Sequence, residues 1–328
     1  MEILPGIHQI KLPLRQNPAG HINAYLLKSG QGWMMIDTGW NDAEALEILA
    51  RQLEKSGIAF SDISQVIYTH IHPDHYGLAG VLKKRYGWKI ITHSQGPAFI
   101  DCRYFNRDHF IREMVDWHIM HGGTRENAGA VEEMSINYIG HVEPVVPDST
   151  VDHGDVISTG VFDLEVIWTP GHDHDHICLY EPSNRILFSG DHVLPDTIPH
   201  IGLSSDTPFN PQYHYLKSLK ALRNLETEQV LPAHEHTFND LQGRIEELLD
   251  YHDRMARETF EAISRQPKTA YQAASELSWV ESPSAWHNLA PIVQAGLVTK
   301  TLTYLELFQL DKTAQKVDKN GLTVYNAT

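Results

Sequence analysis

The sequence lacks several features that mark common classes of protein. None of its apolar runs reaches the roughly eighteen residues that a membrane-spanning helix requires. The segment MEILPGIHQIKLPL has no basic leader followed by an apolar core and a small-residue cleavage site, so it does not resemble a secretory signal. Cys102 and Cys178 are the only cysteines in 328 residues, too few for a disulfide framework. These absences predict a cytoplasmic protein that does not cross a membrane.

Positive charge is also scarce. The chain has 26 Lys and Arg residues against 42 Asp and Glu residues, a formal net charge of −16. A polyanion would be repelled at long range, so this charge argues against a nucleic-acid partner and favours a small-molecule substrate. One modest basic cluster, at Lys217, Lys220 and Arg223, falls on a predicted helix and is typical of a solvated face.

The order of predicted elements indicates the domain organisation. Strand-like and helical segments alternate up to WKIITH, a pattern that predicts sheets covered by helices. Residues 97–145 are rich in aromatic residues and mostly helical by pattern, which suggests an insertion able to cap a site. Strand-like segments then resume, and the chain becomes helical beyond about Phe238. We therefore predict a catalytic domain over residues 1–240 and a helical domain over residues 241–328.

The segment THIHPDHYG concentrates residues that bind metals. His70, His72, Asp74 and His75 follow the strand-like segment VIYTH, and Pro73 disfavours a helix for the residue before it. Alternate residues of an extended segment project to the same side, so His70 and His72 can bind one ion. Asp74 and His75, beyond the turn, point elsewhere and can bind a second ion.

Three more ligand-type residues follow apolar strands downstream, namely His172, Asp191 and His234. A single histidine after a strand is more often a surface or helix-capping residue than a ligand. Four such coincidences, one with four ligand-type residues in six positions, favour a metal site instead. Imidazole and carboxylate together suit Zn²⁺, and Mn²⁺ or Fe²⁺ accept the same ligands.

The motifs THIHPDH, TPGH, SGD and PAH, in this order and with these separations, resemble those of the metallo-β-lactamase superfamily. The resemblance covers roughly residues 5–240 and implies an αββα sandwich with metals at one edge. The implied ligands are His70, His72 and His172 for one metal, Asp74, His75 and His234 for the other, and Asp191 as a bridge. The DTG segment at Asp37 matches a further family element that supports the site.

The resemblance also implies a mechanism. Two Zn²⁺ ions per chain would lower the pKa of a bridging water from about 15.7 towards about 7 and so supply hydroxide at neutral pH. Asp74 would anchor one metal and orient this nucleophile, and His176 matches a histidine of many related hydrolases. Both are candidate catalytic residues. His174 departs from the family pattern and is expected to be a solvent-facing loop residue, while His192 fits either a structural or a functional role.

The C-terminal segments SAWHNLAPIVQAGLVTK and GLTVYN resemble a small winged-helix-like domain found in a cytoplasmic group of this superfamily. That group includes lactamase-β-like endoribonucleases, whereas glyoxalase II-type thioesterases share the motifs but have a different tail. We interpret this tail as a packing or dimerisation element, which predicts a homodimer.

The favoured function is hydrolysis of a small ester, thioester or lactone. Four aromatic residues of the insertion would shape an apolar pocket for it: Tyr104, Phe105, Phe110 and Trp117. One alternative is a metal-dependent endoribonuclease or phosphodiesterase that uses the same site. A second alternative is a mononuclear iron oxygenase of the same fold.

Overall fold

A computed structural model of the chain describes residues 1–14, 19–280 and 283–328. Within these ranges the strands form sheets of seven, five and two strands. The first sheet contains, in order, β1 (Glu2–Leu4), β2 (Ile7–Pro13), β3 (His21–Ser29), β4 (Gly32–Ile36), β5 (Ile63–Ile67), β6 (Lys89–His93) and β7 (Ser149–Val151). The second sheet contains β8 (Val156–Ser158), β9 (Asp163–Trp168), β10 (Ile177–Glu181), β11 (Ile186–Gly190) and β12 (Gln229–Pro232). The two-stranded sheet is the hairpin of β13 (Ala314–Lys319) and β14 (Leu322–Ala327).

The helices occupy the connections and most of the C-terminal third. They are α1 (Ala43–Lys55), α2 (Pro73–Tyr76), α3 (Ala79–Tyr86), α4 (Gly96–Ile100), α5 (Arg107–Met120), α6 (Arg125–Gly140), α7 (Pro211–Leu222), α8 (Leu241–Arg265), α9 (Ala270–Ala274), α10 (Pro283–Trp286) and α11 (Pro291–Leu310). A short 3₁₀ helix covers Phe60–Asp62, and a π-helical turn covers Asp101–Phe105. The helical character predicted for the insertion is confirmed. In the described part of the chain, no helix is both long and apolar enough to span a membrane.

Side chains that alternate along β3 explain how the two large sheets are layered. Leu26 packs in one apolar cluster with Leu49 of α1, while the next residue, Leu27, packs in another with Val166 of β9 and Leu179 of β10. Successive residues of a strand point to opposite faces, so one face of the first sheet lies under helices and the other faces the second sheet. Each fully buried aliphatic side chain contributes about 1.5–3 kcal/mol. The helices on one face of the first sheet and the second sheet on its other face confirm the predicted αββα sandwich.

Parallel pairing brings several strand ends to one edge of the sandwich. β4 runs parallel to β5 with Ile36 opposite Ile67, and β11 runs parallel to β12 with Gly190 opposite Pro232. The carboxyl ends of neighbouring parallel strands therefore lie side by side. The residues that follow these four ends include Asp37, His70, Asp191 and His234.

The described chain divides into two compact units. The first comprises residues 1–106, 138–199 and 220–244 and contains the sandwich. The second comprises residues 107–137, 200–219 and 245–328 and has its own apolar core, which includes Trp286 and Leu302. In it, α9 to α11 precede the β13–β14 hairpin, and the Lys268 N–H donates to the Tyr325 carbonyl at 2.9 Å. The domain boundary at residue 240 stays a prediction.

Candidate metal centre

The structure brings all seven predicted ligands together within the first unit. Their ligand atoms form three overlapping groups, and within each group the atoms lie within 4.8 Å of one another. The groups are His70, His72 and His172; His70, His75 and Asp191; and Asp74, His75 and His234. The THIHPDH segment differs from the predicted loop in one respect. Asp74 and His75 lie in the short helix α2, which begins at Pro73, directly after His72.

The first group presents imidazole nitrogens to one another. His72 Nδ1 lies 3.0 Å from His70 Nε2 and 3.0 Å from His172 Nε2. His72 Nε2 lies 3.3 Å from the carboxylate of Asp173, so the proton of His72 belongs on Nε2 and Nδ1 carries a lone pair. His70 Nδ1 lies 3.2 Å from the Thr69 hydroxyl, which leaves His70 Nε2 as the acceptor. The lone pairs of His72 Nδ1 and His70 Nε2 thus face each other at 3.0 Å, and they repel unless a cation lies between them.

The group of Asp74, His75 and His234, called the second group from here on, combines imidazoles with a carboxylate and lies next to the carboxylate of Asp191. His234 Nε2 lies 3.3 Å from Asp74 and 3.4 Å from Asp191, while His75 Nε2 lies 3.8 and 3.6 Å from the same two carboxylates. The Asp191 carboxylate also lies 3.4 Å from His172 Nε2, a residue of the first group. Asp191 therefore touches both groups, which is the position that a bridging ligand requires.

The two groups differ in their protonation. Burial lowers the pKa of His72 to about 4 and that of His70 well below its ordinary value, so both rings are neutral nitrogen donors. Burial also acts to lower the pKa of His75, but Asp37, Asp191 and Asp74 together raise it to about 10. Without a cation, protons on the histidines balance the negative charge of the carboxylates in and next to the second group. A divalent cation would displace these protons. The donor set of both groups fits transition-metal ions such as Zn²⁺.

Hydrogen bonds behind the ligands fix their orientation. Asp37 accepts from the Thr69 backbone N–H, from the Thr69 hydroxyl and from His75 Nδ1, each at 2.8 Å. Its φ of +57° is unusual for a residue other than glycine. His234 Nδ1 donates to the His21 carbonyl at 3.0 Å. In both His75 and His234 this leaves Nε2 directed at the carboxylates, as is usual for metal-binding histidines.

Sequence reasoning missed a second support, formed by Asp173 and Arg103. The Arg103 guanidinium donates to both oxygens of the Asp173 carboxylate, at 2.7 and 3.1 Å. Burial would raise the pKa of Asp173, but Arg103 and His72 hold it well below its ordinary value. The neighbouring Tyr104 hydroxyl donates to the Ile71 carbonyl at 2.5 Å, between the first two histidines. The only sequence signal was an aspartate directly after His172.

The three histidines of ambiguous role are all buried. His176 Nδ1 lies 2.8 Å from the Thr169 hydroxyl, and its Nε2 accepts the backbone N–H of Asp191 at 3.1 Å. The prediction that His174 faces solvent is wrong, because the ring is 4% exposed and stacks on Phe99 with a centroid distance of 4.8 Å. His192 is fully buried, with its ring centroid 5.7 Å from that of His176.

The predicted aromatic pocket involves residues of both units. Tyr104 is buried within the first unit, whereas the Phe105 side chain, also of the first unit, is 50% exposed. Phe110 and Trp117 belong to the second unit. A substrate pocket lined by all four therefore stays a prediction.

Comparison with known proteins agrees with this geometry. The chain is 27% identical over 271 residues to the probable metallo-hydrolase YqjP of Bacillus subtilis, an alignment that covers 79% of this chain and 81% of that protein. The crystal structure of a metallo-beta-lactamase family protein from Thermus thermophilus superposes with a TM-score of 0.83 at 24% identity and covers 100% of both chains. A beta-lactamase domain protein from Burkholderia ambifaria superposes with a TM-score of 0.80 at 23% identity, covering 100% of this chain and 94% of that one.

These structural neighbours share the fold of the chain over its whole length. The family profile described as the metallo-beta-lactamase superfamily matches residues 17–234, which is more than half of the sequence and includes every candidate ligand. The chain therefore belongs to the metallo-β-lactamase superfamily.

Proposed function

We propose that this protein is a two-metal hydrolase that cleaves a small ester, thioester or lactone and holds two Zn²⁺ ions. The observation that carries the proposal is the position of Asp191, whose carboxylate lies 3.4 Å from His172 of one ligand group and 3.4 Å from His234 of the other. The broader class, a metal-dependent hydrolase, follows from the family and from relatives such as the probable metallo-hydrolase of Bacillus subtilis.

Each candidate residue has a role in the proposal. His70, His72 and His172 would hold one cation, Asp74, His75 and His234 the other, and Asp191 would bridge them. Bound cations would lower the pKa of a shared water and polarise the scissile carbonyl. Burial alone would raise the pKa of Asp74, but His75 and His234 lower it to about 2, so its carboxylate is ionised and can orient the attacking water.

His176 has a positioning role in this proposal rather than the catalytic role first considered. Its ring is fully buried and both ring nitrogens already have protein partners. The acceptor at Nε2 holds the backbone N–H of Asp191, so His176 fixes the residue that would bridge the two metals.

The charge of the protein supports an uncharged acyl substrate over RNA. A net charge of −16 repels a polyanion at long range, whereas it has little effect on a neutral ester. The nuclease and the iron oxygenase are the competing outcomes of the test below.

The experiment is elemental analysis of the purified protein, paired with turnover of thioester, lactone, phosphodiester and single-stranded RNA substrates. We expect two equivalents of zinc and turnover of one acyl substrate class, both lost in Asp74→Ala. His236→Ala, an exposed histidine two residues from His234, is the matched control and should keep both. RNA cleavage lost in Asp74→Ala would favour the nuclease, and one equivalent of iron without hydrolysis would favour the oxygenase.

A homodimer in the cytoplasm completes the proposal. The second unit would supply the contact between copies through its helices and hairpin. Light scattering on the intact chain measures the mass directly, and a mass of one chain at micromolar concentration would contradict the dimer.

A further inference from the structure

The second unit contains two buried polar side chains that the metal centre does not use. Gln212 of α7 is fully buried and His252 of α8 is 4% exposed. Neither the amide nitrogen nor the amide oxygen of Gln212 has a hydrogen-bond partner among the described residues, and the same is true of His252 Nε2. A buried polar atom without a partner destabilises the folded state. A bound group would supply partners for atoms of both side chains.

The hydrogen bonding of His252 determines what it offers to that group. Its Nδ1 lies 2.6 Å from the Tyr304 hydroxyl. Burial raises the pKa of Tyr304 well above its ordinary value, so the phenol stays protonated. Its hydroxyl has no other hydrogen-bond partner among the described residues, so its proton is satisfied only by donation to Nδ1. The remaining proton of the neutral imidazole is then on Nε2. His252 therefore presents an N–H donor, not an acceptor.

The half-buried Lys300 lies on the same side of α11 as Tyr304. Lys300 precedes Tyr304 by four residues, so the two side chains share one face of the helix. Its ammonium makes no hydrogen bond or ion pair with any described residue, although burial lowers its pKa. Because the Tyr304 hydroxyl contacts His252, Lys300 lies on the face of α11 that meets His252. Its charge lowers the pKa of His252, after the larger effect of burial.

The start of α7 lies against this face of α11 within the second unit. The Asn210 side-chain amide donates to the Thr303 carbonyl at 2.9 Å, two residues before Gln212. One turn after Gln212, the Tyr215 ring lies edge-on to His252 with a centroid distance of 5.3 Å. Gln212 therefore lies between the contact of Asn210 with α11 and the contact of Tyr215 with α8.

We propose that Gln212, His252 and Lys300 form a binding site for the carboxylate group of a small organic molecule. A carboxylate would accept from the ammonium, the imidazole N–H and the amide NH₂, which are all donors. The Gln212 amide oxygen is an acceptor and would not be partnered by the carboxylate. The single positive charge of Lys300 matches a monoanion, whereas a phosphate dianion would leave an excess charge in a buried site. This site lies in the second unit and does not depend on the proposed metal chemistry.

Acetate, the simplest stable carboxylate probe, tests the proposal on the intact chain. Thermal unfolding is followed as sodium acetate replaces sodium chloride at constant ionic strength. We expect a saturable rise in melting temperature for the native protein and an apparent dissociation constant raised about tenfold or more in Lys300→Met. Lys217→Met, which removes an exposed lysine on α7, is the matched control and should bind acetate as the native protein does.

A second measurement serves if Lys300→Met does not fold. Reductive methylation of the native protein, read by mass spectrometry, should modify Lys300 more slowly in acetate than in chloride, while Lys217 reacts equally in both. The proposal is overturned if acetate gives neither a saturable shift nor protection of Lys300. A response to inorganic phosphate without one to acetate would overturn the assignment to a carboxylate.

Discussion

The Asp173 carboxylate lies 3.3 Å from His72 Nε2, and this contact decides which nitrogen of His72 is available to a metal. Arg103 holds the same carboxylate with two hydrogen bonds, so the orientation of His72 depends on a residue of the π-helical turn. Support of this kind typically changes metal affinity by about 10–100-fold.

Asp173→Asn should therefore weaken metal binding without removing a ligand. The amide cannot keep the ion pair with Arg103 and accepts less strongly from His72, so we expect the dissociation constant for zinc to rise about tenfold or more. Competition with a chromophoric chelator measures it. Asp163→Asn, at an exposed position in β9, is the control. Equal zinc affinity in Asp173→Asn and the native protein would show that His72 is oriented without this contact.

Asp37→Asn should affect the two ligand groups unequally. Asp37 accepts directly from His75 Nδ1, whereas it reaches the first group only indirectly, through the Thr69 hydroxyl that contacts His70 Nδ1. An asparagine amide directed at His75 would favour the wrong tautomer and weaken the group of Asp74, His75 and His234. We expect zinc content to fall from two equivalents towards one, measured by elemental analysis after dialysis. Loss of both equivalents together would mean that the groups do not load independently.

The positions of the candidate ligands could be predicted from sequence, whereas the residues that orient them mostly could not. His70, Asp191 and His234 follow apolar strands, and parallel pairing brings such strand ends to one edge. Arg103 and Asp173 are 70 residues apart, and their contact depends on how the π-helical turn packs.

Burial of individual polar residues was equally difficult to predict. His174 sits in a loop among charged residues, and its buried ring stacks on Phe99 of α4, a contact between residues far apart in sequence. Lys300 and Gln212 are ordinary polar residues of predicted helices, and nothing in their local sequence shows that other helices enclose them.

His176→Phe tests whether His176 positions Asp191 or takes part in proton transfer. The phenyl ring leaves the Asp191 N–H without its acceptor, which should lower the free energy of unfolding by about 1–3 kcal/mol and weaken metal binding. The pH dependence of the residual turnover should keep its shape, because a positioning residue does not titrate in the reaction. Loss of one limb of the pH profile with unchanged metal content would assign His176 a catalytic role instead.

Acid should destabilise the second unit through His118 and His121. Burial lowers the pKa of each to about 4, and neither ring nitrogen of His118 has a hydrogen-bond partner among the described residues. The unfolded chain binds protons at these two histidines below about pH 6.5, whereas the folded chain binds them only near pH 4. The contribution of these histidines to the free energy of unfolding is therefore full above about pH 6.5 and is lost as the pH falls towards about 4. We expect a loss on the order of 2 kcal/mol per histidine, measured by urea unfolding across this range. His118→Leu should flatten the acid limb, whereas His109→Leu, at an exposed position more than one helix turn away, should leave it unchanged. An acid limb that is identical in all three proteins would place the sensitive groups elsewhere.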